Sequence, residues 1–301
     1  MAIASVRAQI NGTWHTLTYN SATGAYEATI TAPGATSYNQ SGGYYNVTVE
    51  ATNTAGTVGT ANGSTLEGLR LVVKERVAPV ITILSPSSGA YVINSKQPVV
   101  FTVVDEAGGS GIDLSSLVVK QDGAAVASNT ITTTAISNGY SVTYTPAAAL
   151  SDGSHTITID VMDNDGNAAA QKSTAYTVDT VPPTLNITAP AEGLVTAAQS
   201  LNVAGKTNDA TSSPVTVAIT LNGADQGAVT VGADGAFSKT VSLAAGENTI
   251  TITATDAAGK TSTMTRTVTL DTSVPKVASA AITPNPVDAG ATMIISVVIT
   301  E

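Results

Sequence analysis

Three features of this 301-residue chain predict an all-β protein of tandem β-sandwich domains. Strand and turn residues (Thr, Val, Ala, Ser, Gly, Asn) dominate in place of helix formers. Apolar residues recur at every second position. A sequence unit also returns at a fixed interval along the chain, which marks repeated domains. The length suits two or three domains, and a hydrophobic content of 43% is ample for packed cores.

The alternation is clearest in Thr249-Ile250-Thr251-Ile252-Thr253, where the isoleucines share one face of a strand and the threonines the other. Turn dipeptides at 122–123, 152–153, 222–223, 234–235 and 258–259 supply the positive φ that hairpins need. Turn signals every 8–12 residues or so indicate a sandwich or barrel, not a βαβ fold.

The repeat is a strand, a tight turn, a second strand and a proline-marked junction. It reads HTITIDVMDNDGNAAAQKSTAYTVDTVPP from His155 to Pro183 and NTITITATDAAGKTSTMTRTVTLDTSVP from Asn248 to Pro275. A degenerate copy, YNVTVEATNTAG at 45–56, leads to LRLVVKERVAP ending at Pro79. Junction residues Asp179 and Asp271 lie 92 positions apart and turn residues Asp163 and Asp256 lie 93 apart, the size of one sandwich. The prolines at 79, 182–183 and 275 stiffen the junctions, so an extended rod is expected.

VPPTLNITAP at 181–190 with Gly193, DEAGGSGID at 105–113, and D-x-x-G turns followed by VDT or LDT junctions make the chain resemble bacterial immunoglobulin-like domains. Such domains are strung along surface adhesins and phage virion proteins. The resemblance covers essentially the whole chain and implies tandem immunoglobulin-like sandwiches. It says little of function, because such domains serve as spacers, adhesins and decorations alike.

The expected domains are 1–76, 77–180 and 181–273, with a remainder at 274–301. Ser5–Gly12 aligns with Val217–Gly223, the third strand of its domain, so 1–76 is expected to lack its first two strands. Residues 276–301 read as two such strands around a proline-rich turn. The arrangements that fit are a segment cut from a longer array, a tail that completes the next molecule's head by strand addition, a tail folded on its own head, or a head complete alone. The expected assembly segment is Ala291, Met293, Ile295, Val297 and Ile299, meeting Val6, Ala8 and Ile10.

Charge and composition exclude several functions. The net charge is −10, carried mostly by 77–180 with nine acids against three bases, and no basic cluster exists. A nucleic-acid partner and an anionic membrane surface are thereby disfavoured. Without cysteine there is neither a disulfide framework nor a thiolate metal site. No signal peptide is visible at the N-terminus, and no apolar stretch is long enough to span a bilayer, so membrane insertion is not expected. The two histidines, His15 and His155, sit in different repeats within strand pattern, and no Gly-x-Ser-x-Gly is present, so no enzyme is expected.

Two kinds of binding residue stand out. Asp105, Glu106 and Asp113 flank a glycine loop, and Asp160, Asp163, Asp165 and Asn167 crowd a turn, hard oxygen ligands of the kind calcium takes. The spacing departs from an EF-hand, and Asp163-Asn164-Asp165-Gly166 also reads as an ordinary hairpin turn. Six of the twelve aromatics fall in the first 45 residues. Tyr26 aligns with Phe237 and is expected in the core, while Trp14, Tyr38 and Tyr44 are candidate contacts for a partner or glycan.

The expected function is a non-enzymatic structural or adhesive rod outside the cell, in a phage or prophage virion. Its partners would be further copies of itself, other virion or surface proteins, or a host-surface glycan or protein. The alternatives are a segment of a bacterial adhesin stalk and a glycan-binding accessory module.

Overall fold

The computed structural model describes residues 2–301, and they contain strands and two short 3-10 turns but no α-helix. The chain divides into two compact units, Met1–Val178 and Asp179–Glu301.

The first unit opens with β1 (Ile3–Ile10), β2 (Thr13–Asn20), β3 (Ala25–Glu27), β4 (Tyr45–Asn46), β5 (Thr48–Asn53), β6 (Val58–Asn62) and β7 (Arg70–Leu71). They form one five-stranded sheet, ordered β3-β2-β1-β5-β6, and a two-stranded ribbon, β4-β7. Asn11 and Gly12 both have positive φ, the geometry of a two-residue hairpin between β1 and β2. Val6 and Ala8 are buried while Ser5 and Arg7 are exposed, so β1 alternates as a half-buried strand should. Tyr26 departs from its expected burial. Where Phe237 is 4% exposed, Tyr26 is half-buried and packs on Tyr19, itself 58% exposed. Among the described residues, this region forms no core cluster of the kind seen in the two sandwiches.

The same unit continues through β8 (Val80–Ser85), β9 (Tyr91–Val92), β10 (Val99–Val104), β11 (Ile112–Gln121), β12 (Ala124–Ala125), β13 (Ile131–Ile136), β14 (Gly139–Tyr144), β15 (Gly153–Asp163) and β16 (Lys172–Val178). Sheets β13-β14-β10-β8 and β12-β11-β15-β16-β9 face one another. Their inward positions, among them Val99, Phe101, Val103, Val142, Ile157 and Ile159, are fully buried in one core. The predicted turn at 122–123 is a tight hairpin with positive φ at Asp122 and Gly123, whereas 152–153 leads into β15 and closes no hairpin.

The second unit holds β17 (Thr184–Ala189), β18 (Leu194–Thr196), β19 (Ser200–Asn208), β20 (Thr216–Leu221), β21 (Ala224–Asp225), β22 (Ala236–Ser242), β23 (Gly246–Thr255) and β24 (Thr261–Leu270). Its sheets, β17-β19-β22 and β18-β24-β23-β20-β21, repeat the plan. In both sandwiches a short strand crosses to the opposite sheet and pairs in parallel, β9 with β16 and β18 with β24. Ile219, Ile250 and Ile252 are fully buried, as the Thr-Ile alternation requires. The unit ends in a hairpin of β25 (Lys276–Thr283) and β26 (Ile294–Thr300), paired only with each other.

Candidate metal centres and an uncovered hairpin

Acidic side chains gather where β10 and β15 end in the first unit. Glu75, Asp105 and Glu106 bring carboxylate oxygens within 4.8 Å of one another. Asp105 accepts from the Gly111 N–H at 2.6 Å through Oδ2, while its Oδ1 is buried without a hydrogen-bond partner. Glu75 accepts from the Val77 N–H at 2.6 Å and from Ser110 Oγ at 3.1 Å. Burial, then a shared hydrogen bond with Asp105, raises the Glu106 carboxyl above its ordinary range. At Asp163 burial works the same way, but hydrogen bonds from the Asn167 side chain and backbone outweigh it and hold this carboxyl low.

Among the described residues, Asp113, Asp163 and Asp165 join no group of three acids that meet at one point, whereas Asp105 does. Asp113 closes a local turn, accepting from the Ser115 N–H and Oγ at 2.9 and 2.6 Å. Asp165 accepts from Thr36 Oγ1 at 2.5 Å and the Glu75 N–H at 3.0 Å, which ties the first sheet's loops to this turn. Of the acids around the glycine loop, Asp105 and Glu106 do meet, and Glu75, which the sequence did not single out, joins them.

A second cluster, in the second unit, was not among the expected ligands. Asp179, Asp209 and Asp256 bring one carboxylate oxygen each within 4.8 Å of the others, and all three are buried. The signal that finds it is position within the repeat. Glu75 and Asp179 each stand five residues before the first strand of a sandwich, and Asp105 and Asp209 each directly follow the central strand, β10 or β19, of the smaller sheet. Asp271 stands five residues before β25, and Glu301 directly follows β26.

The tail hairpin follows the same register. Counting back from the acid after the strand, Ile295, Val297 and Ile299 fall where β10 has Val99, Phe101 and Val103, each 0% exposed. On the hairpin they are 61%, 49% and 62% exposed. Met293 is 50% exposed and Ala291 lies in the turn region before β26. Of the residues expected to meet them, Val6 and Ala8 are buried and Ile10 is half-buried. Strand addition at β1 is excluded by pairing, because β2 occupies one edge and β5 the other. Only a face of this sheet, or the edges at β3 and β6, could receive a further element.

The candidate aromatic contacts lie apart. Trp14 on β2 sits under the Arg7 guanidinium at 4.2 Å, and Arg7 also pairs with Glu50 at 2.6 Å. Tyr44 sits under Arg70 at 5.1 Å, and Tyr38 is 50% exposed. No ring contact joins the three among the described residues. Of the histidines, His155 is buried with both nitrogens engaged, Nδ1 with Asp122 at 2.8 Å and Nε2 with the Ser151 carbonyl at 2.9 Å.

No characterised protein matches the chain in sequence. Residues 87–180 match the bacterial Ig-like domain family, and residues 183–272 match the family described as glucodextranase, domain B. Among solved structures, fibronectin(III)-like modules of Clostridium thermocellum CbhA are 16% identical, with 64% of this chain and 94% of that chain covered and a TM-score of 0.40. Titin domains A168–A170 are 13% identical over 87% and 86% with a TM-score of 0.43. Sidekick-1 immunoglobulin domains 1–5 are 13% identical over 98% and 59%, with a TM-score of 0.40. The chain is a tandem array of immunoglobulin-like β-sandwich domains whose middle repeat matches the bacterial Ig-like family.

Proposed function

We propose that this chain is a non-enzymatic structural or adhesive element outside the cell, in a virion or at a bacterial surface. We further propose that it assembles head to tail, the β25–β26 hairpin of one copy packing against the first sheet of the next. The observation that carries the assembly is the register match: side chains that fill the core in the middle repeat have no cover on the hairpin. Uncovered strands with such faces invite pairing with another chain. The non-enzymatic reading rests on His155, whose two ring nitrogens are both occupied and so offer no free base to a nucleophile.

The chain has no cysteine, which makes a cross-linking test clean. Ile10→Cys and Val297→Cys copies are mixed under mild oxidation. A disulfide between the two different copies is expected. A failure to cross-link at any concentration, or a bond formed only within a chain carrying both substitutions, would contradict the assembly.

The glucodextranase domain to which residues 183–272 are similar favours a second reading, an accessory module associated with carbohydrate. Glycan-array binding by the intact chain that is lost in Trp14→Ala would support it, and no binding would remove it.

A further inference from the structure

We propose that the free edge of β13 pairs antiparallel with β13 of a second copy, and that this contact joins head-to-tail arrays side by side. Exposed sheet edges invite added strands, and natural sheets blunt them with short strands, bulges, proline or charge. In the two sandwiches β9, β12, β18 and β21 are edges of only two or three residues. The longer edges β8 and β17 each carry a bulge and lie between prolines, Pro79 and Pro86 for one and Pro183 and Pro190 for the other. At β22 Lys239 sits in mid-strand. The loop before it also bonds back, with the Gly232 N–H donating to the Ala236 carbonyl at 2.8 Å and Val231 bridging Phe237. β13 has none of these devices: it runs six residues without proline or charge, in unbroken register with β14.

The backbone fixes which groups that edge offers. The Thr145 N–H donates to the Thr130 carbonyl at 3.0 Å, so by antiparallel alternation Thr132, Thr134 and Ile136 exchange the next bonds with β14. Thr133 and Ala135 therefore turn N–H and C=O to the open side, while the Ile131 N–H turns back to the Ser128 carbonyl. Residues 132–136 are all exposed. A two-fold axis at Thr134 sets Thr133 opposite Ala135 of the second copy and uses all of these free groups, in about four hydrogen bonds.

The same axis sets Thr134 against itself and Thr132 against Ile136, which is 41% exposed in the single chain. No charge meets a like charge, and cross-strand Thr–Thr pairs are favourable. The strand is thus complementary to a second copy of itself. One such pair covers only a six-residue edge, well short of the roughly 1,200–2,000 Å² that stable complexes bury, and holds free copies only transiently. An array presents this edge once per copy, so contacts that are weak singly act together along it. The strand pair stands on β13 alone; the joining of arrays rests on the head-to-tail assembly proposed above.

The test uses the intact chain at high concentration under mild oxidation, with one cysteine introduced at a time. Thr134→Cys should link to itself at least about tenfold faster than Thr132→Cys or Ile136→Cys does alone, because only position 134 meets itself across the axis at a spacing a disulfide bridges. A mixture of Thr132→Cys and Ile136→Cys copies should regain the fast rate. The same pattern is expected in chains that also carry Ile295→Asp and Val297→Asp, so the strand pair is read separately from the tail. In electron micrographs, threads of the intact chain should lie in bundles and threads of Thr134→Lys singly. Mixing Thr134→Lys with Thr134→Glu copies should restore the bundles. Equal linkage rates at the three positions would overturn the strand pair. So would faster linkage of Thr134→Cys to a Val297→Cys copy than to itself, which would place the tail on this edge. Bundles unchanged by Thr134→Lys would overturn the lateral role, and absence of threads would remove it together with the head-to-tail assembly, while the linkage pattern still decides the strand pair.

Discussion

The sandwich of residues 183–272 and the sheet of residues 2–73 use the same strand grammar with opposite results. In the former, β19 carries Val203 into a core sealed by Ile219, Ile250 and Ile252, and two sheets cover each other. In the latter, β1 and β5 pair correctly, yet no core cluster forms around them among the described residues. Alternation therefore makes a strand, but only a facing sheet makes a domain. What the first region lacks, the hairpin of β25 and β26 has: a pair of strands whose apolar positions face nothing.

The sharpest way to break that contrast is to cut the same kind of side chain in both places. Ile252→Ala should destabilise the second unit by about 2–5 kcal/mol in a denaturant melt. Ile295→Ala should change the stability of the isolated monomer by no more than about 0.5 kcal/mol. Equal losses would mean that the hairpin is already covered within the molecule.

A smaller effect is expected from adding one methyl group. A Cβ at Gly139 would lie 2.0 Å from the Val103 carbonyl oxygen, across the tightly paired β10 and β14. Gly139→Ala should cost about 1–3 kcal/mol. Gly59, on β6, has nothing within 4 Å of the same position, and Gly59→Ala should leave the melting temperature unchanged or slightly raised.

The smallest effect is a pH dependence confined to the closed sandwich of the first unit. Burial works against charge on His155, but hydrogen bonds to Asp122 and the Ser151 carbonyl outweigh it and raise its pKa. Burial likewise opposes the Asp122 carboxylate, and bonds from His155 and the Thr156 N–H outweigh it and lower the pKa. The histidine's contribution is complete below about pH 6.5 and is lost as pH rises through its higher folded value. The aspartate's contribution is complete above about pH 4 and is lost as pH falls through its lower folded value. The first unit should thus melt highest between about pH 4 and 6.5, and His155→Gln should flatten the fall above that window. A wild-type profile that rises from pH 6 to 8 would contradict the pairing.

Strands, turns and repeat length were legible because each is a local pattern. Asn222-Gly223 and Asp122-Gly123 could be read as hairpins from two residues. The acid clusters were not legible in the same way. Asp163 and Asp165 lie two positions apart but serve different partners, whereas Asp179 and Asp256 lie 77 positions apart and meet Asp209 in space. Proximity in sequence was the wrong measure for acids held by three strand ends; position relative to each strand was the right one. Tyr26 failed for a related reason. Its alignment with Phe237 is sound as a strand position, but burial depends on a facing sheet that no local pattern reports.

Head-to-tail assembly requires the exposed apolar side chains of β26 to meet the first sheet of another copy. Sedimentation velocity over a wide concentration range, on the intact chain and on an Ile295→Asp, Val297→Asp variant, addresses this directly. Concentration-dependent growth of the intact chain, with the variant remaining monomeric, is the predicted result. Two monomers with identical sedimentation at every concentration would contradict it.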